Sequence, residues 1–452
     1  MSTGVDRNRL RALHERELAA FVAARPRSAR LHEQALVNLP GGVPMSWMAK
    51  WPGPFPVYVD TARGAHFTCV DGIDHVDLCL GDTGAMSGHS PAETVAAVSE
   101  QLGRGMTAML PTADAPLAAA ELARRFGVPQ WQFTLSATDA NRHVIRYARH
   151  VTSRPKVLVF DWCYHGTVDE AFATLADDGR VVARHGNIGA PVPLSATTVV
   201  VPFNDLPALE AALAVGDVAC VLLEPAMTNI GIVLPDPGFH EALRRLTSEH
   251  SALLIMDETH TLCAGPGGCT REWGLAPDVV VVGKTIGGGI AAAAFGMTQE
   301  LSDRVQRSVD LVDIDVGGIG GTLAGNALSL AAVRATLTQV LTDAAFEHMV
   351  ALAVRWTDGV QGVLDATGAP WHVTRIGARA EYAFSPTAPR DGAEAAAADD
   401  FELQQYLHLH ALNRGLLLTP FHNMALICPA TTEQDVDRHT AAFGECASEL
   451  FG

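Results

Sequence analysis

An α/β fold is expected for this chain: a large domain with a mainly parallel sheet covered by helices, plus a smaller α+β domain from both termini. Three observations carry that expectation. Between about residues 90 and 300, short aliphatic runs alternate with helical stretches, the pattern of strand–helix–strand units. Several runs, such as Ala252-Leu253-Leu254-Ile255-Met256-Asp257-Glu258, are apolar throughout and end abruptly in charge, as strands buried on both faces do. Outside that region the two ends of the chain read as helices and alternating strands with no comparable series.

The elements follow in order. Residues 6–38 alternate charged and apolar positions at helical spacing, and Leu39-Pro40-Gly41-Gly42-Val43-Pro44 ends that helix. Residues 55–80 alternate in the manner of strands, with a turn at Asp71-Gly72. The aliphatic strands of the central region are 156–160, 197–203, 219–225, 252–258 and 279–284. Beyond Thr322 a long helical stretch leads into a second unit at about 345–452. There, 384–400 reads as a polar loop and 401–413 as a helix. The domain boundaries expected are 1–80 for an N-terminal segment joining the small domain, 81–330 for the large domain and 331–452 for the C-terminal small domain.

Composition bounds the function. The 452 residues are 48% hydrophobic and 18% charged, ordinary for a globular enzyme. Lys and Arg total 32 against 50 for Asp and Glu, a formal charge of −18, which argues against nucleic-acid or anionic-membrane partners. No apolar run is long enough to span a bilayer, and the first residues lead into a charged amphipathic segment without a signal-peptide core, so a cytoplasmic location is expected. Of the eight cysteines, Cys69, Cys79, Cys163, Cys220 and Cys428 sit in or beside apolar runs as small hydrophobes. Cys263 and Cys269, near His260, lack zinc-knuckle spacing and a second pair, so no metal is expected. His408 and His410, two apart on a helix, point to different faces and read as structural.

The chemistry concentrates at two strand ends. Lys284 closes Asp278-Val279-Val280-Val281-Val282-Gly283-Lys284, and Asp257 closes a run 27 residues earlier. Open α/β sheets bind ligands at the carboxyl ends of their strands. A lysine and an acid presented there suit pyridoxal phosphate (PLP): the lysine forms a Schiff base with the cofactor aldehyde, and the carboxylate keeps the pyridine nitrogen protonated. Ser136-Ala137-Thr138-Asp139-Ala140-Asn141 lies between a strand and a helix, where free backbone N–H groups and hydroxyls make either an anion site or a plain N-cap. Tyr164, in Tyr164-His165-Gly166, is placed either to stack on a planar cofactor or to fill core. Glu224-Pro225 ends another strand, and Thr322 in Gly320-Gly321-Thr322 offers a second phosphate donor. Rival motifs fail on spacing: Gly283-Lys284-Thr285 lacks the first glycine of a P-loop, and Ser87 stands one place too late for a serine-hydrolase elbow. The glycines Gly287 to Gly289 fit a dinucleotide pattern loosely but follow a lysine rather than a strand.

With these pieces in order, the chain resembles the class III aminotransferases, fold-type I PLP enzymes, in the branch of glutamate-1-semialdehyde aminomutases and β-amino-acid transaminases. The resemblance runs from Leu39-Pro40-Gly41-Gly42 to Thr432-Glu433-Gln434-Asp435-Val436-Asp437. The family's Ser-Gly-Thr-Glu-Ala appears as Ser136-Ala137-Thr138-Asp139-Ala140, with two conservative departures. Its Tyr-His-Gly, Glu-Pro, Asp-Glu, Gly-Lys-x-x-Gly-Gly-Gly and Gly-Gly-Thr stretches are intact. The resemblance implies a seven-stranded type of sheet and PLP held by Lys284 and Asp257. It also implies contacts from Ser136, Ala137, Thr138, Tyr164, His165 and Glu224, and a homodimer in which Thr322 reaches the neighbouring subunit's phosphate.

Substrate choice is read from what is missing. Relatives of this branch carry an arginine after Pro-Gly-Gly and another near the C-terminus; here those stretches give Met45, Trp47 and Met48, and Phe421. Arg379 is a candidate substitute for binding a carboxylate, or the partner of a structural acid. An apolar pocket of this kind leads to an expected transaminase that moves an amino group from a hydrophobic or aromatic amine to a keto acid or other carbonyl acceptor. The alternative is a glutamate-1-semialdehyde-type 2,1-aminomutase or a β-amino-acid aminotransferase. A PLP-binding protein without turnover is a third reading, opposed by the intact Lys284, Asp257 and Thr322.

Overall fold

The computed structural model describes residues 3–190, 192–308 and 318–452. The expected large-domain range 81–330 takes in residues 309–317, which lie outside those described. The chain divides into one unit of residues 1–91, 344–388 and 397–452, and another of residues 92–343 and 389–396.

In the first unit, β1 (Val59–Arg63), β2 (His66–Cys69) and β3 (Asp74–Asp77) form an antiparallel meander. The N-terminal helical stretch is two helices, Arg7–Ala24 and Pro26–Ala35, because Pro26 removes the N–H a continuous helix needs and pushes Arg25 out of helical geometry (φ −127°, ψ 52°).

The second unit carries β4 (Gln130–Thr134), β5 (Lys156–Phe160), the small hairpin β6 (Ala173–Leu175) and β7 (Val181–Ala183), β8 (Thr198–Val201) and β9 (Val218–Leu223). β10 (Leu253–Asp257), β11 (Val279–Val282) and β12 (Ala293–Met297) complete it. Among the described residues the main sheet has seven strands in the order β4-β12-β11-β10-β9-β5-β8. All are parallel except β12, which runs antiparallel to both neighbours. The central strands are apolar at every position because both faces are covered. On β5, Val157 and Val159 enter one core and Leu158 and Phe160 the other; on β10, Leu253 and Ile255 oppose Leu254 and Met256.

Back in the first unit, β13 (His372–Ile376), β14 (Arg379–Ala383) and β16 (Met424–Leu426) form an antiparallel sheet, and β15 (Leu416–Leu417) pairs in parallel with β3. The 384–400 stretch is not wholly loop. Gly392–Ala397 is a short helix that belongs with the second unit, and Arg390 there pairs with Asp236. Among the described residues no helix is long and apolar enough to cross a membrane.

Candidate active site

The second unit gathers its polar side chains at the carboxyl edge of the seven-stranded sheet. Asp257, the last residue of β10, sits opposite Val281 of β11, and Lys284 follows β11 by two residues. Gly283 is extended and Lys284 takes a left-handed φ of 53°, which ends the strand and turns the chain into a short 3-10 turn. A non-glycine residue in that conformation is held by its surroundings at some cost, and such residues cluster at functional sites.

Asp257 is buried and fully engaged. Its Oδ2 accepts from Asn141 Nδ2 at 2.8 Å and pairs with His165 Nδ1 at 3.0 Å, while Oδ1 accepts from the Thr259 N–H at 3.1 Å. Burial alone would raise its pKa, but the His165 hydrogen bond and charge outweigh it, so Asp257 lies below the usual carboxylate range and is ionised. Burial likewise works against a charged His165, yet Cys163 and Asp257 push it up to about 10. Asn141 also donates to the His165 carbonyl at 3.2 Å, tying the Tyr164-His165-Gly166 turn to the helix Ala137–Thr152.

That helix begins with Ser136 as N-cap, whose Oγ accepts from the Asp139 N–H at 3.2 Å. Ala137 and Thr138 occupy the first turn, where backbone N–H groups have no helical partner. Thr138 Oγ1 accepts from the Thr167 N–H at 3.1 Å, and Gly166 packs so closely that a Cβ there would lie 2.1 Å from Thr138 Oγ1. Tyr164 is half-buried and stands edge-on to Phe172, ring centroids 6.1 Å apart. Glu224 is buried after β9 and accepts from Thr228 Oγ1. Thr322 is exposed in the loop ahead of the helix Ala327–Ala335, whose N-cap is Asn326.

Two residues at this edge were not foreseen. Asn141 is a buried polar side chain on the apolar face that Val144, Ile145 and Ala148 share, one turn beyond Ala137; a polar residue on such a face was the available signal. His260 places Nε2 2.7 Å from Lys284 Nζ, and no spacing rule points to it.

The remaining candidates lie in the first unit. Met45 and Trp47 are exposed, Met48 is half-buried, and Lys50 Nζ stands 5.6 Å from the Phe421 ring centroid. Trp47 and Met48, with Phe21, Trp51, Phe55 and Val57, line an apolar cavity of about 320 Å³. Arg379 on β14 is wholly buried, with Nη2 3.5 Å from Glu381 Oε2, and Glu381 also meets His422 Nδ1 at 3.3 Å. The geometry is that of the structural acid pair rather than of a cation offered to solvent. Among the described residues, Glu17, His410 and Glu449 have the separations of a metal site. Arg16 pairs with both carboxylates and Arg414 with Glu17, so a cation there would meet carboxylates already neutralised.

The group in the second unit fits PLP on its own chemistry: an ionised buried acid for a pyridinium, a lysine on the neighbouring strand end, and a helix N-terminus for a phosphate. Fold and site together are those of a fold-type I PLP-dependent transferase. Residues 47–443 match the family model of the class-III aminotransferases, and the chain belongs to that family. It is 32% identical to a glutamate-1-semialdehyde 2,1-aminomutase of Anaeromyxobacter dehalogenans over 92% of this chain and 96% of that one. Its structure is similar to that of a glutamate-1-semialdehyde-aminomutase from Pseudomonas aeruginosa PAO1, with TM-score 0.97 and 49% identity over 99% of this chain and 100% of that one. A lysine-to-alanine variant of the Pseudomonas protein was solved in complex with PMP. An omega-transaminase from Sphaerobacter thermophilus is also similar, with TM-score 0.86 and 28% identity over 95% of this chain and 100% of that one.

Proposed function

We propose that the chain is a PLP-dependent aminomutase of the glutamate-1-semialdehyde 2,1-type, which moves an amino group between adjacent carbons of one small amino-carbonyl substrate. The observation that carries this reading is the 49% identity to the Pseudomonas aminomutase across 99% of the chain. The aminomutase is thus preferred to the hydrophobic-amine transaminase that the apolar stretch Met45–Met48 favours on sequence grounds. That transaminase remains the second reading, supported by the apolar residues Met45, Trp47 and Met48 of that stretch.

When bound, PLP supplies an electron sink for the carbon that loses its proton. Lys284 is the residue that would hold the cofactor covalently, and its Nζ, when free, would serve as the base that takes and returns the substrate proton. Asp257 keeps the ring nitrogen protonated, and Asn141 and His165 keep Asp257 ionised and pointed. Ala137 and Thr138 would bind the phosphate through N–H and hydroxyl donors, Ser136 shapes that turn as its cap, and Tyr164 would flank the ring. Glu224 and His165 steady the surrounding strand ends. Thr322 acts on the phosphate of a second copy, so the working unit is a homodimer. The protein acts in the cytoplasm on small molecules.

The test compares two reactions of the PLP-loaded protein: glutamate 1-semialdehyde supplied alone, and 1-phenylethylamine supplied with pyruvate. Isomerisation without any keto acid is expected. Amine transfer to pyruvate with no isomerisation of the semialdehyde would replace this reading with the second one.

A further inference from the structure

We propose that His260 is a positioning residue for Lys284, its Nε2 holding the lysine amine by a hydrogen bond whenever that amine is not joined to the cofactor. The inference rests on the proposed role of Lys284 and adds a partner to it. The contact is 2.7 Å, a well-formed hydrogen bond. Lys284 Nζ can only donate when it is an ammonium, so Nε2 is the acceptor and the imidazole proton stays on Nδ1.

His260 is fit to hold a position because its loop is pinned on both sides. Glu258, buried just before it, accepts from Thr261 Oγ1 at 2.5 Å and from the Cys269 N–H at 3.1 Å, and its backbone carbonyl accepts from the Leu262 N–H at 2.8 Å. Gly268 closes that loop at φ +60°, where a Cβ would lie 2.3 Å from Glu258 Oε2. A lysine on a flexible four-carbon stem gains most from such a fixed acceptor. The other ionisable side chains at these strand ends have different partners: Asp257 is bound to Asn141 and His165, Glu258 to its own loop, and Glu224 to Thr228. An amine returning a proton to one of two positions needs its lone pair directed, and Nε2 supplies the direction.

Two variants separate positioning from packing. His260→Gln keeps an acceptor and His260→Phe removes it; melting by circular dichroism checks both, and His260→Ala replaces the Phe variant if that one does not fold. In the cofactor-free protein, trace acylation with acetic anhydride across pH 6–10 is read at Lys284 by peptide mass spectrometry, with Lys156 as internal reference. The Phe variant is expected to change the labelling of Lys284 by at least about threefold, since the amine is no longer held by Nε2, and Gln is expected to restore the parent rate. In the loaded protein, exchange of the substrate C–H with deuterated water should fall about tenfold or more in Phe at unchanged KM, and recover in Gln. Labelling within twofold of the parent at every pH, or equal exchange in Phe and Gln, overturns the proposal. A protein that takes up no PLP overturns the functional reading instead, and the labelling result stands apart from it.

Discussion

Replacing Asp257 by Asn tests the centre of the site through stability, before any substrate is added. The carboxylate takes two donors on Oδ2, from Asn141 and His165, and one on Oδ1, from the Thr259 N–H. An amide has one oxygen, so either orientation sets its NH2 against a donor, a cost of about 1–3 kcal/mol in a buried place. The bond to a charged partner disappears as well, worth about 1.5–3 kcal/mol. His165 is pushed up to about 10 by Cys163 and Asp257 against its burial, so it stays charged at neutral pH and needs the carboxylate. A loss of about 3 kcal/mol is expected overall, the low end of what breaking a buried charged pair costs. The pH dependence has a definite sign. His165 is raised, so its contribution is full below about pH 6.5 and is lost as pH rises toward 10. Asp257 is lowered, so its contribution is present above about pH 4 and is lost as pH falls through its native value. Urea unfolding of cofactor-free parent and Asp257→Asn at pH 6, 7.5, 9 and 10.5 measures this. The gap should be widest at pH 6 and should shrink by pH 10.5. A loss under about 1 kcal/mol at pH 6, or a gap that does not change with pH, would refute the reasoning.

Three further outcomes follow from the same geometry. Lys284→Ala should fold and still bind PMP, yet lose at least about a hundredfold in turnover, and borohydride reduction of the parent should leave the cofactor on the peptide containing Lys284. Gly166→Ala should destabilise the protein by about 1–3 kcal/mol and weaken cofactor binding, because the backbone at φ +75° resists a side chain and the new methyl would displace the Thr138 hydroxyl; a cofactor titration checks it. Mixing Thr322→Ala with Lys284→Ala should restore activity if Thr322 serves the second copy's phosphate, and a fully active monomer by light scattering would exclude that role.

Much of this was legible in the chain because parallel strands covered on both faces leave an unbroken apolar signature. The runs ending at Asp257 and near Lys284 are such strands, trimmed by one to two residues at their ends. The strand β12 was not among the runs read as strands, and nothing in the short stretch Ala293–Met297 says that it runs antiparallel to its neighbours. Pro26 sits at a first helical position, where proline is tolerated, so a helix break hid inside one periodic stretch. The short helix Gly392–Ala397 was lost among alanines flanked by polar residues. His260 and Asn141 were missed for a different reason. Each acts on a residue from a distant part of the sequence, 24 and 116 positions away, and a contact made by the fold leaves no spacing to read. Arg379 was visible as a cation near an acid, but only burial says that Glu381 claims it.

The close approach of Gly283 to the helix start ties two distant positions into one unit of volume. A Cβ on Gly283 would lie 3.1 Å from the Ala137 methyl and 3.1 Å from the Ala293 methyl, although the extended backbone at Gly283 would itself accept a side chain. Gly283, Ala137 as the second residue of the phosphate turn, and Ala293 therefore share one space that already holds two methyls. Gly283→Ala alone should press on the turn that presents the phosphate donors, while adding Ala137→Gly relieves the contact with the helix start and leaves the one with Ala293.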